Sequence, residues 1–258
     1  MLENIMNQIP YFMFVLIRIT SFFIFVPFFN NQSFEMIFKM GLAFLMSFLI
    51  FPTLSLTTWV IPGNMLGFIL AGSQEMLIGI LIGLTFLIIL FALQLTGTLL
   101  GFQMAFSMAS AVDPSFEEDS NVMSVILVLI GTMIFLNLRG DHYLLFALQK
   151  SFSILAPGSI AVTKNLITEL SVLIIKSFEV GFKLAAPAVI LLLAIDITLG
   201  LIGKTASKMQ IFFVGLPLKI AVGLWSLTLI MGFIVSIFGK EVEKLPRYLI
   251  HFFRLMKV

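Results

Sequence analysis

The groups able to carry charge chemistry in this chain are few: 13 Asp and Glu, 15 Lys and Arg, and two histidines. Cysteine is absent. That removes disulfides, thiolate metal sites and cysteine nucleophiles together. His142 and His251 lie far apart in the chain and lack metal-ligand spacing. No H-E-x-x-H, phosphate-cradling glycine loop or G-x-S-x-G is present. No polar cluster in the apolar segments pairs a nucleophile with a base. The reading is therefore of a protein that is not an enzyme and holds no metal or cofactor, with His142 making a local hydrogen bond in a polar turn.

The charges that remain are placed in patterns. Residues 113–119 (DPSFEED) form the most acidic patch, and Pro114 with four carboxylates makes it a loop. Glu169, Lys176, Glu179 and Lys183 fall at spacings of seven, three and four within an otherwise apolar run, close to one helical face. Lys176–Glu179 and Glu179–Lys183 are positioned to pair along it. Charge at membrane depth is expensive, so this stripe must face protein or a water-filled cavity. The stripe reads as a subunit interface; the sharper alternative is an ion or proton path. Arg18, Glu75 and Asp196 are isolated in apolar runs, and Arg18 with Glu75 is one candidate pair.

The elements that must position these residues are helices. The chain has 258 residues, 60% of them hydrophobic and 11% charged, with a mean hydropathy of +1.14. Soluble domains carry about 25% charged residues, so this chain belongs in a bilayer or deep inside an assembly. Its net charge of +2 provides no broad basic field for nucleic acid. Strand-type alternation is absent, and in lipid only helices or closed barrels satisfy the backbone. Apolar runs cover residues 4–17, 19–34 and 40–74, the last broken at Pro52 and at Pro62-Gly63. Residues 77–112 carry no charge. As one helix they would measure roughly 54 Å, against a hydrocarbon core of about 30 Å. That run must kink, break near Gly97 or Gly101, or extend into a protein environment. Further spans are expected at 120–138, 163–203 and 220–239, with a polar turn at 139–142, a helix end at Pro157-Gly158 and a charged tail to residue 258. Arg18 in mid-run and Glu3 ahead of it argue against a cleaved signal peptide. Lys240, Lys244, Arg247, Arg254 and Lys257 argue for a cytoplasmic C-terminus, yet Lys204 and Lys208 argue the same for the other end of the last apolar run. The orientation stays open.

Three G-x-x-x-G pairs, Gly63/Gly67, Gly79/Gly83 and Gly97/Gly101, predict close backbone packing within or between subunits. Fifteen methionines and 29 phenylalanines are the other excess, concentrated at 102–108 (FQMAFSM) just before the acidic loop. Soft thioethers and rings adapt to changing neighbours.

The order and spacing of several residues resemble the FliR family of type III secretion export-gate proteins. Gln94, Gly97, Gly101, Gln103 and Met104, followed by Asp113-Pro114, resemble its middle segment. Glu75, Gly79 and Gly83 fit upstream; Phe135-Leu136, Gly140, His142, Ser151-Phe152 and Pro157 fit downstream. Ala186-Pro187, Asp196, Leu199-Gly200, Phe212, Gly215, Pro217 and Lys219 continue the match, and Arg18 and Pro27 open it. Before Phe212 the family usually shows Pro-Gln-x-Asn; here Ser207-Lys208-Met209-Gln210 gains a cation and loses a proline.

The resemblance implies an all-α integral membrane protein of long kinked helices and hairpins, lodged in a hetero-oligomeric export gate. It implies a FliP-like part over 1–162 and a FliQ-like helical hairpin with charged tail over 163–258. Phe102, Met104, Phe106, Met108, Asp113 and Pro114 would belong to a pore plug. Lys204, Lys208, Gln210, Pro217 and Lys219 would form a turn docking a FlhB-like subunit. Implied partners are FliP-, FliQ- and FlhB-like subunits, an FlhA-like platform, unfolded export substrates and membrane lipid. The implied location is the bacterial inner membrane at the flagellar basal body. Two rivals stand: the homologous subunit of a virulence injectisome, from which Gln103-Met104 points away, and a small secondary transporter, whose internal symmetry is not visible here.

Overall fold

The computed structural model describes residues 2–26, 35–54, 59, 62–104, 121–205 and 211–257. These form seven α-helices: α1 Leu2–Phe25, α2 Met36–Ile50, α3 Met65–Gln103, α4 Val122–Asn137, α5 Gly140–Ile154, α6 Lys164–Thr205 and α7 Ile211–Met256. A single 3-10 turn, Phe51–Thr53, ends α2, because Pro52 offers no N–H to continue the ladder. Five of these helices are long and apolar enough to cross a membrane, and the bent pair α4–α5 makes up to six. The fold is that of an all-α integral membrane protein.

The chain divides into two compact units. The first holds Met1–Ile88, Arg139–Leu173 and Glu243–Val258; the second holds Ile89–Leu138 and Ile174–Val242. In the first, α1 presents Phe14, Val15, Arg18, Ile19, Phe22 and Phe23, spaced at three and four residues, as a buried face. It lies backbone-close on α3 because Gly79 and Gly83 have no side chain there: a Cβ on Gly79 would stand 2.8 Å from the Phe22 nitrogen, and one on Gly83 would stand 2.7 Å from the Phe25 Cβ. By contrast α2 buries only Ala43 and Ser47 and leaves Phe38, Phe44, Leu45, Phe48 and Leu49 exposed. Phe12 meets the rings of Phe44 and Phe51 edge-on at 5.7 and 5.6 Å.

In the second unit α3 meets α4, and α6 meets α7. Asn121 caps α4, its Oδ1 accepting from Met123 N at 3.0 Å. In the first unit α5 starts from Arg139, a non-glycine residue held at φ 55°. Within the second unit Asp196 pairs with Lys219, and further along α6 Lys176 pairs with Glu241. The partners step in opposite directions, as an antiparallel hairpin requires. In the first unit Thr163, the residue just ahead of α6, donates from Oγ1 to the Leu255 carbonyl of α7 at 3.1 Å.

One open expectation is narrowed and two are corrected. Of the three outcomes left open for the over-long apolar run, a break at Gly97 or Gly101 is not the one taken: α3 continues through both to Gln103. The turn expected over 204–219 is shorter, because Lys204 belongs to α6 while Pro217 and Lys219 lie inside α7. Pro217 lies in the second turn of α7, past the four N–H groups that lack partners in any helix, so the helix runs through it with one ladder hydrogen bond fewer. Finally, the charged tail is not a tail. It continues α7 to Met256, because Val242, Leu245, Leu249, Phe252, Phe253 and Met256 recur at helical spacing and are buried. The division at 162/163 concerned kinship with partner subunits, and the two compact units follow different boundaries.

Candidate functional site

Two constellations stand out, one in each unit. In the first unit Arg18 and Glu75 have no exposed side-chain surface, and Arg18 Nε donates to Glu75 Oε2 at 2.6 Å. The other guanidinium nitrogens are used as well. Nη1 donates to Ser151 Oγ at 2.9 Å and Nη2 to the Leu155 carbonyl at 3.2 Å. Ser151 in turn donates to the Leu148 carbonyl. The guanidinium carbon lies 4.1 Å from the centre of the Phe152 ring, which also stacks near Trp59 at 6.1 Å. One fork-shaped cation thus ties α1 to α3 and to the end of α5. A fully buried charge is tolerable only when so paired, and the candidate pair read from the sequence is realised.

In the second unit the residues flanking the acidic segment are fixed to one helix end. A Cβ on Gly97 would stand 2.6 Å from the Met123 carbonyl oxygen and the Ser124 nitrogen, and one on Gly101 would overlap the Asn121 side chain. Asn121 Nδ2 donates to the Thr98 carbonyl and Ser124 Oγ to the Gln94 carbonyl, both at 3.2 Å. Gly97 and Gly101 are thus a seat for the start of α4 within the chain. On the other side Met104 is 1% exposed. Its thioether fills the notch left by Gly223 on α7, where a Cβ would meet Cγ, Sδ and Cε at 2.6–2.7 Å. Phe102, two residues earlier, is 63% exposed.

The sequence-derived residues therefore separate. Phe102 and Met104 lie at the end of α3, one outward and one inward. Phe106, Met108, Asp113 and Pro114 fall outside the described residues, as do Lys208 and Gln210. The charged stripe is split. Glu179 and Lys183 pair at 2.8 Å on an exposed face, as expected. Lys176 instead reaches Glu241 of α7 at 3.2 Å, because the neighbouring helix brings a carboxylate to it. Glu169 is half-buried. Lys204 is exposed, and Lys219 pairs with Asp196 rather than standing free.

Sequence reasoning passed over Ser151 and Phe152 as Arg18 partners, and Asn121, Glu241 and Gly223. Asn121 carried a signal, an N-cap residue just ahead of an apolar run. Glu241 and Gly223 carried none, since their value depends on which helix docks beside them. Among the described residues no group of His, Asp and Glu is placed to hold a metal. His142 Nδ1 lies 3.0 Å from the Asp141 carboxylate on an exposed turn.

An all-helical membrane protein with five or six spans, a buried intramembrane ion pair and no assembled reaction centre among its described residues is the class these features define. The chain matches the family of bacterial export proteins, family 1, over residues 9–245, and it belongs to that family. It is similar to the flagellar biosynthetic protein FliR of Bacillus subtilis, with 28% identity over 96% of this chain and 98% of that one. The FliR proteins of Escherichia coli K12 and Aquifex aeolicus are 28% and 26% identical, covering 90% and 93% of this chain and 88% and 92% of theirs.

Proposed function

We propose that this protein is a structural, non-catalytic subunit of the flagellar type III protein export gate. It closes a ring of FliP- and FliQ-like subunits in the inner membrane at the basal body, and it helps to form and plug the protein-conducting pore. The observation that carries this reading is the family match over nearly the whole chain, joined to the second unit's geometry. Met104 in the Gly223 notch and Asn121 on Gly101 anchor the two ends of segment 105–120 within one compact unit, as a plug supported on fixed stems requires. Residues 1–162 take the FliP-like role and 163–258 the FliQ-like one, in line with the antiparallel pairing of α6 and α7. The outward Glu179–Lys183 pair, with Glu169, faces a neighbouring subunit. The short connection between Lys204 and α7 docks a FlhB-like subunit, with the FlhA-like platform beyond.

Deleting residues 109–118 tests the plug. The assembled gate should still form, and membranes carrying it should leak ions or small solutes when export is idle. A deleted gate that assembles and stays as tight as the parent overturns the plug assignment.

A further inference from the structure

Three candidate spans reach one boundary in the first unit. The first begins at Gln8, the second ends at Thr53 and the third begins at Met65. Rings tie these ends together: Phe12 lies 5.6 Å from Phe51, and Phe14 lies 4.8 Å from Phe68. Tyr11 and Trp59, each an apolar ring with a polar tip, stand 6.1 Å apart. Such side chains settle where hydrocarbon gives way to water. A cavity of about 290 Å³ lies beside Trp59. One side of it comes from α5, where Phe146, Gln149, Lys150 and Ser153 follow at i, i+3, i+4 and i+7, all four exposed. Thr53 lines it from the turn that ends α2. The buried Phe152 ring, which meets both Trp59 and the Arg18 guanidinium, holds the aromatic wall in place.

The lining states what it takes. Among the described residues Lys150 is its single charged group, and no ion pair engages it. The hydroxyl protons are already committed: Thr53 Oγ1 donates to the Ile50 carbonyl and Ser153 Oγ to the Lys150 carbonyl, both at 2.7 Å. Those two oxygens are left as acceptors. A fitting ligand brings one negative charge for Lys150 and hydrogen-bond donors for the hydroxyl oxygens. A phosphodiester bearing glycerol meets both demands. One bearing ethanolamine adds an ammonium group, which calls for a carboxylate, and none lines the cavity among the described residues. A protein carboxylate answers Lys150 but brings no donor. The volume is at the low end of ligand cavities, about 300–1,000 Å³, and suits a headgroup without its chains. For the chains α2 offers a path, since Leu45 and Leu49 are exposed and lead to Thr53 at spacings of four.

We propose that this cavity binds the headgroup of an anionic phospholipid of the phosphatidylglycerol type, its phosphate on Lys150, its glycerol hydroxyls on Thr53 and Ser153, and its acyl chains along α2. Headgroup binding requires only that α2 crosses the bilayer. Its failure leaves the export-gate reading standing, and a leak assay does not bear on it.

The test puts photoreactive benzoyl-phenylalanine in place of Phe146 in the full chain and, separately, in place of Phe48 on the open face of α2. Each protein, with its co-purifying partners, is irradiated in vesicles of phosphatidylglycerol and phosphatidylethanolamine in equal parts, and the adducts are identified by mass spectrometry. The ratio of phosphatidylglycerol to phosphatidylethanolamine adducts should be about fivefold higher at Phe146 than at Phe48, the factor expected of one close ion pair in a water-like dielectric. Equal ratios at the two positions, no lipid adduct at Phe146, or capture there of a protein segment instead overturns the proposal. Lys150→Gln should remove the enrichment and Lys150→Arg should keep it; enrichment that survives Lys150→Gln overturns the assignment of the phosphate to Lys150. Inorganic phosphate in excess, compared with chloride at equal ionic strength, separates the two sources of the anion. Enrichment that persists belongs to a headgroup held also by its chains, whereas enrichment lost to phosphate alone assigns the cavity to the free ion and overturns the lipid.

Discussion

Arg18 illustrates how a single side chain governs a membrane fold. Its guanidinium lies inside the first apolar helix, where an unpaired charge would cost several kcal/mol, and it spends its donors on Glu75, Ser151 and Leu155. Truncating one partner leaves the other buried and unanswered. Arg18→Ala or Glu75→Ala should each destabilise by about 3–5 kcal/mol, read as a sharp loss of accumulated protein and a lower unfolding midpoint in detergent. The joint exchange Arg18→Met with Glu75→Leu should recover most of that loss, since no isolated charge remains; a double variant no better than the single ones would refute the pairing energetics. The glycine seats allow a graded comparison. Gly97→Ala drives a methyl into α4 backbone atoms, which cannot yield, and should cost about 1–3 kcal/mol. Gly223→Ala meets only the flexible Met104 side chain, and a rotamer change should limit the cost to about 0.5–1.5 kcal/mol. Unfolding midpoints of the two variants check the order.

Among the elements, the long helices outrun the bilayer. At 39, 42 and 46 residues, α3, α6 and α7 measure roughly 58, 63 and 69 Å, about twice the hydrocarbon thickness. Charges mark the surplus. On α6 they crowd between Lys164 and Lys183, while the stretch from Leu184 to Gly203 holds only Asp196, which Lys219 answers. That stretch alone is about 30 Å long, one membrane's worth. The clamps between α6 and α7 fix their register. Reversing Lys176 to Glu should loosen the hairpin by setting two carboxylates together, and the compensating Glu241→Lys should restore it. Hydrogen exchange of α6 and α7 amides measures both, and a double reversal that leaves exchange as fast as the single one contradicts the clamp. Asn121→Ala removes a cap and should cost about 1 kcal/mol, seen as faster exchange at the first amides of α4 alone.

For the whole molecule, exposed apolar surface is the dominant fact. Along α2, α6 and the first half of α7, large side chains such as Phe44, Phe48, Ile175, Ile190, Trp225 and Phe233 stand in the open. Patches of this kind mark membrane or subunit contact. The exposed Glu179–Lys183 pair sits among them, where lipid tails could not solvate it. The chain purified alone should therefore be heterogeneous and protease-sensitive, and co-expression with FliP- and FliQ-like partners should render it ordered and protected. A monodisperse, protease-resistant monomer obtained without partners would show that the exposed surface needs no protein cover.

Composition and periodicity settled what depends on local solvent and on neighbours along the chain. A chain this apolar must satisfy its backbone internally, so helices follow. Breaks at Pro52, Gly140 and Pro157 and the i,i+4 pair Glu179–Lys183 follow from steric and helical geometry within a few residues. Even Arg18–Glu75 was legible, because two lone opposite charges in apolar runs have few other solutions. What only the tertiary structure decided is who meets whom across helices. Lys176 had Glu179 as its expected partner along its own helix face, and docking of α7 supplied Glu241 instead. Gly97 and Gly101 read as a close-packing pair and Gly223 carried no signal; packing made the pair the seat of Asn121 and Ser124 and Gly223 the notch of Met104. The charged end of α7 looked like a solvated tail until its apolar half found a buried surface. Sequence records the period of a helix face; it does not record the distance to the next helix, and salt bridges, notches and caps are set by that distance.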